Sequence, residues 1–175
     1  QNTTDAVTPW TIYEGILQVA QDGSLGAAGS TLTFDGGTLQ MVGGFNFDSA
    51  RPIVIDTAGG TLDTQGFDTT IAQGITGSGD FTKLGSGALT LTGDSTFSGE
   101  TTLAEGSIDV TGSLAGAVTA RSGTALSGTG SVGSTTLDEG STLTVGSKTE
   151  DDSALATFTI NGALDNSGTV NLSRS

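Results

Sequence analysis

The side chains in this chain that could do chemistry are mostly carboxylates. The tightest run is Asp151-Asp152 beside Glu150. Two carboxylates facing each other across a sugar could act as the acid and base of a glycosidase. This run, however, lies in a polar stretch with no aromatic sugar platform nearby, which favours a solvated loop. Asp138-Glu139 precedes Gly140 and reads most simply as a turn. Lys83 is the one cation of its neighbourhood, placed to cap exposed carbonyls or to pair with Asp80. Trp10 and Tyr13 sit near the start, where they could cap or join a preceding unit.

Other chemistries lack their residues. There is no His and no Cys, which removes a Ser-His-Asp triad, thiol nucleophiles, disulfides and the usual zinc ligands. No phosphate loop is present, because Gly79 to Lys83 lacks the spacing. Gly77-x-Gly79 reads as a turn and not as a dinucleotide fingerprint, since no helical pattern follows it. No series of calcium-binding nonapeptides occurs. The expectation is therefore no catalytic, cofactor-binding or metal-binding residue, no cofactor and no enzyme activity.

The charge narrows the partners. Nineteen acidic and 5 basic side chains give a formal net charge of −14. Such a surface repels phosphate backbones and anionic lipid, so nucleic-acid binding is not expected. It also keeps molecules apart in solution. No apolar stretch approaches the length of a membrane span. The chain opens on Gln1 with no signal-peptide pattern, and we read it as a segment of a larger secreted protein.

Short, regularly placed elements must hold these residues. The 175 residues include 29 Gly and only 2 Pro, and 34% are hydrophobic. A unit of Gly, a small or hydroxyl residue and an aliphatic residue recurs, starting at Gly15, Gly37, Gly60, Gly87, Gly106, Gly123, Gly140 and Gly168. The spacings are 22, 23, 27, 19, 17, 17 and 28 residues. Within the units apolar residues alternate, as in Leu89-Thr90-Leu91-Thr92, Leu143-Thr144-Val145 and Phe158-Thr159-Ile160. Period two puts aliphatics on one face and Thr on the other. No stretch carries a 3.6-residue stripe.

One short coil cannot cover its own apolar side, whereas stacked coils cover one another. The pattern therefore predicts an all-β, right-handed parallel β-helix of about eight coils. Strands about 4.8 Å apart make this a rod roughly 40 Å long. Asp22-Gly23, Asp35-Gly36 and Asn161-Gly162 are also hairpin signatures, and repetition is what favours the solenoid over a sandwich. Residues 43–48 read as a turn with aromatic anchors and residues 146–153 as a polar loop. Residues 1–175 read as one β-helical segment with no internal boundary.

Residues 77–108 carry a more specific pattern. They begin Gly77-Ser78-Gly79-Asp80-Phe81-Thr82-Lys83-Leu84-Gly85-Ser86-Gly87-Ala88-Leu89-Thr90-Leu91-Thr92-Gly93. Phe97-Ser98-Gly99 and the closing Gly106-Ser107-Ile108 follow. This resembles the passenger-associated repeat of type V autotransporters. Asp94-Ser95, Phe97 and Glu100 depart from the family pattern, and no partner specificity carries over. The resemblance implies a surface-exposed β-helical passenger, tethered to the outer membrane by a C-terminal barrel in the full-length protein. It also implies an adhesive stalk that contacts host cells, extracellular matrix or another copy. The rival is a passive stalk bearing a protease or esterase domain outside this chain. A carbohydrate-active β-helix is disfavoured by the missing His and the unclustered carboxylates.

Overall fold

A computed structural model describes residues 7–146 and 157–172. Among these residues the chain forms 22 strands and one 3-10 turn, Asp22–Leu25. Every strand pairing is parallel. The architecture is the expected β-solenoid, with three faces visited in turn.

The first face holds two four-stranded sheets. One contains Trp10–Ile12, Leu32–Phe34, Ile53–Ile55 and Ile75–Gly77; the other contains Asp94–Ser95, Ser113–Leu114, Ser131–Val132 and Thr159–Ile160. The second face is one eight-stranded sheet. It runs from Ile16–Val19 through Thr38–Met41, Gly60–Asp63, Phe81–Leu84, Thr101–Leu103, Val118–Ala120 and Thr135–Leu137 to Leu164–Asn166. The third face is six-stranded, from Thr69–Ile71 through Ala88–Leu91, Ser107–Val110, Ala125–Gly128 and Thr142–Val145 to Thr169–Leu172.

The coil count differs from the sequence expectation. Eight rungs exist on the second face, yet only six coils carry a strand on all three faces. In the first two coils the third face is made without strands, by the 3-10 turn and by residues 42–48. Phe47 is buried there. The backbone N–H of Phe47 donates to Thr70 O at 3.1 Å, while Asn46 Oδ1 accepts the N–H of Thr70 at 2.9 Å. The aromatic anchor is real, and it seals the edge of the third sheet against open strand pairing.

Alternation makes the core. On the third face Leu89, Ile108, Leu126 and Leu143 stand in one inward column, each 2% exposed or less. Fully burying each such side chain stabilises by roughly 1.5–3 kcal/mol. Ile53-Val54-Ile55 follows the same rule despite its continuous apolar run, because only Ile53 and Ile55 are buried. The last described coil has no described coil beyond it, and its inward residues Leu164, Val170 and Leu172 are exposed.

None of the three hairpin-like dipeptides makes a hairpin. Asp22-Gly23 lies in the 3-10 turn. Asp35-Gly36 and Asn161-Gly162 are corners between faces, and their first N–H groups bond to strand ends of the preceding rung: Asp35 to Ile12 O at 2.9 Å, Asn161 to Val132 O at 2.7 Å. The polar loop expected at 146–153 falls almost wholly outside the described residues.

Arg51 fastens the strand-poor first coils. Its side chain is fully buried. Nε and Nη2 fork the Asp22 carboxylate at 2.8 Å each. Nη1 reaches the carbonyls of Leu25 and Ser30 at 3.0 and 2.9 Å, and Nη2 also reaches Gly26 O at 3.1 Å. Only a guanidinium offers this many donors in a rigid fork. Arg51→Ala removes a donor from the Asp22 carboxylate and from four carbonyls, those of Asp22, Leu25, Gly26 and Ser30. It is expected to lower the free energy of unfolding by roughly 3–5 kcal/mol, read from urea denaturation. Arg51→Lys recovers only part of the loss.

Candidate functional site

The most regular feature of the surface is a threonine ladder on the second face. Thr38, Thr61, Thr82, Thr102, Thr119 and Thr136 occupy one outward column, paired rung to rung. Each is partly exposed. The pleat requires an outward side chain every second residue, and a β-branched residue with a hydroxyl suits a half-wet sheet. The ladder presents hydroxyl and methyl groups at intervals of about 4.8 Å.

Beside it runs a shorter polar ladder. Gln18 Nε2 donates to Gln40 Oε1 at 2.8 Å, and Gln40 Nε2 donates to Asp63 Oδ2 at 2.9 Å. An ionised carboxylate only accepts, so Asp63 sets the direction of both amides. Burial pushes Asp63 up, but hydrogen bonds from the Gln40 side chain and from the backbone and side chain of Gln65, together with the Lys83 charge, outweigh it. Its carboxyl is held below the usual range.

Six other carboxylates serve as clasps between rungs. Asp68 accepts the N–H of Ala88 at 2.8 Å, and Asp80 accepts that of Glu100 at 2.8 Å. Glu105 takes the N–H of Gly85 at 2.9 Å. Asp94 and Asp109 accept the hydroxyls of Ser113 and Ser127, and Glu100 accepts that of Thr119. These acids are spread along the rod as single acceptors. Among the described residues no group of three or more His, Cys, Asp or Glu is placed to hold a metal ion, and no helix is long and apolar enough to cross a membrane.

Lys83 lies inside the rod. It stands in an inward column between Leu62 and Leu103 and is fully buried. Its Nζ donates to the carbonyls of Leu84, Gly85 and Glu105 at 2.9, 2.8 and 3.3 Å. Gly85 holds φ at +81°, which turns its carbonyl into this cage. The carbonyl-capping alternative of the sequence reading is therefore the observed one. The alternative ion pair with Asp80 is absent from the described contacts, because Lys83 points into the rod while Asp80 is exposed. Burial lowers the Lys83 pKa to about 8, against the pull of Asp63, Glu105 and Asp68.

The remaining sequence candidates are scattered. Asp138 pairs with Arg121 at 3.2 Å on the surface, and its backbone carbonyl accepts the Ser141 hydroxyl at 2.7 Å, as a turn residue would. Glu139 is exposed. Glu150, Asp151 and Asp152 lie outside the described residues. Trp10 packs against the core, while Tyr13 is exposed. Both line an open cleft of about 870 Å³ with Glu14, Ile16, Asp35 and Ala58. Sequence reasoning missed Arg51; its only signal was a lone cation in a segment without strands.

Residues 81–110 match the family model of the passenger-associated-transport-repeat. The chain is also 41% identical over 107 residues to the adhesin BmaC autotransporter of Brucella suis biovar 1 (strain 1330). That match takes in 60% of this chain but only 3% of the relative, so the chain spans a small fraction of that protein's length. No solved structure matches the chain. The fold defines the class as a parallel β-solenoid. The repeat and the relative add a similarity to autotransporter passengers.

The buried ammonium makes stability depend on pH in a stated direction. The folded pKa of about 8 lies below the ordinary value of 10.5, so the unfolded chain holds this proton more tightly. The fold is therefore expected to gain stability as pH rises from about 8 to about 10.5, through this group. The difference in urea midpoint between wild type and Lys83→Met, measured at pH 7 and pH 10, isolates the effect; the variant lacks this share of the gain.

Proposed function

We propose that this chain is an adhesive segment of a bacterial surface stalk. The full-length protein is displayed outside the cell and tethered to the outer membrane by a C-terminal barrel. The observation that carries the reading is the similarity to an autotransporter adhesin over 60% of the chain. The physical surface agrees with it. A rigid sheet face with a six-rung threonine ladder offers hydroxyls and methyls to a partner at low entropic cost, because the backbone is already ordered. Partners of this chemistry are host-cell or matrix proteins, or another copy of the chain.

A non-enzymatic role is supported by the placement of the acids. Asp63, Asp68, Asp80, Asp94, Glu100, Glu105 and Asp109 are each committed to a hydrogen bond with a neighbouring turn or rung.

The direct test is adhesion of the purified chain to fibronectin, to collagen and to whole cells, paired with deletion of these residues from the exported protein. Retained export with lost adhesion is the expected result. Unchanged adhesion after deletion overturns the adhesive reading and leaves a passive stalk.

A further inference from the structure

The stack is not uniform along its length. In the first coils partners lie 22 residues apart, as Thr11 to Thr33 and Val54 to Thr76. Thr82 to Thr102 is 20 residues and Thr119 to Thr136 only 17, before a last step of 29 from Thr136 to Asp165. The first face records the change abruptly. Its strands have three residues through Ile75–Gly77 and two from Asp94–Ser95 onward, and the two groups form separate sheets. The second and third faces pass this point with their ladders intact.

Substitute contacts fill the gap. The Ile75 N–H donates to the Ser95 hydroxyl at 3.1 Å, where a backbone carbonyl would otherwise stand. The Ile75 carbonyl accepts from both Thr96 N and Phe97 N at 2.8 and 3.3 Å, and Ser98 N reaches Gly77 O at 3.2 Å. Gly77 sits at φ +121° with the place of a Cβ only 1.9 Å from Ile55 O, so no side chain fits there. Phe97 from the next coil is fully buried and extends an edge-to-face stack, Phe34–Phe81–Phe97, with centroids 6.4 and 6.3 Å apart. Phe81 and Phe97 both belong to the matched repeat.

We propose that residues 75–98 are a joint that splices a wide N-terminal stack of coils to a narrow C-terminal one, and that the two stacks unfold as separate cooperative units. In a solenoid each coil is held by its intrinsic stability and by its interface with the next, so cooperativity breaks where the interface is poorest. At the joint one of the three sheets is interrupted. The matched repeat then has a structural task, which is to supply the aromatic filling and the Ser95 hydroxyl that hold the two cross-sections together. This inference does not depend on what the surface binds.

Native-state hydrogen exchange on the whole chain, followed through sub-denaturing urea, tests it. Amides of the Thr38–Met41 and Gly60–Asp63 strands are expected to converge on one exchange isotherm. Those of the Ala125–Gly128 and Thr142–Val145 strands converge on another. Ser95→Ala is expected to raise exchange at the Ile75 amide about tenfold or more and to move the two isotherms further apart. A single isotherm spanning both sides in wild type overturns the proposal, and so does a Ser95→Ala variant whose isotherms merge. Should Ser95→Ala fail to fold, the wild-type isotherms alone decide.

Discussion

Each coil of this rod depends on its neighbours to keep water off its interior. A strand of three or four residues with alternating side chains turns only two toward the axis, and one coil of such strands encloses almost nothing. In-register parallel pairing brings like residues over one another, so that Leu89, Ile108, Leu126 and Leu143 make a continuous aliphatic column. The same register that builds the inner columns also builds the outer threonine ladder. Core and surface are two sides of one constraint, because a slip of one residue would exchange them.

The two cations inside the rod are held where backbone carbonyls accept their hydrogen bonds. Arg51 and Lys83 are both fully buried, and burying an unpaired charge is costly. Both reduce that cost by donating to backbone carbonyls, and Arg51 also to the Asp22 carboxylate. Arg51 does so under the 3-10 turn of the first coil, and Lys83 at the Gly85 corner. Several carboxylates act in the opposite sense, accepting backbone N–H groups and outward hydroxyls from adjacent rungs. The described acids that make these bonds are thus spread along the rod as acceptors at its corners and on its faces.

Much of this was legible in the sequence, because period-two alternation and recurrent Gly-x-aliphatic units follow directly from the pleat and from the corners. The face on which each unit falls was not legible. Gly15, Gly37 and Gly60 introduce strands of the second face, whereas the units from Gly87 onward introduce strands of the third. The 27-residue step from Gly60 to Gly87 therefore contains a change of face as well as a coil. Aliphatic spacing reports that a strand exists, and says nothing of which side of a three-sided rod it occupies. Lys83 was hidden differently. Its alternation with Phe81 already placed it inward, but a lysine reads as surface until the carbonyls around it are known. The repeat at 77–108 was recognisable because its glycines and Phe97 answer to close packing, which constrains residue identity more tightly than exposure does.

The rung order is most directly tested by distances between spin labels on outward positions of the second face. Labels at Thr38 and Thr136 stand five rungs apart, and labels at Ile16 and Asp165 seven rungs apart. Parallel stacking predicts separations of roughly 24 and 34 Å, growing in proportion to rung number. Distances that fail to grow with rung number, as in a sandwich whose strands fold back on one another, would contradict the account.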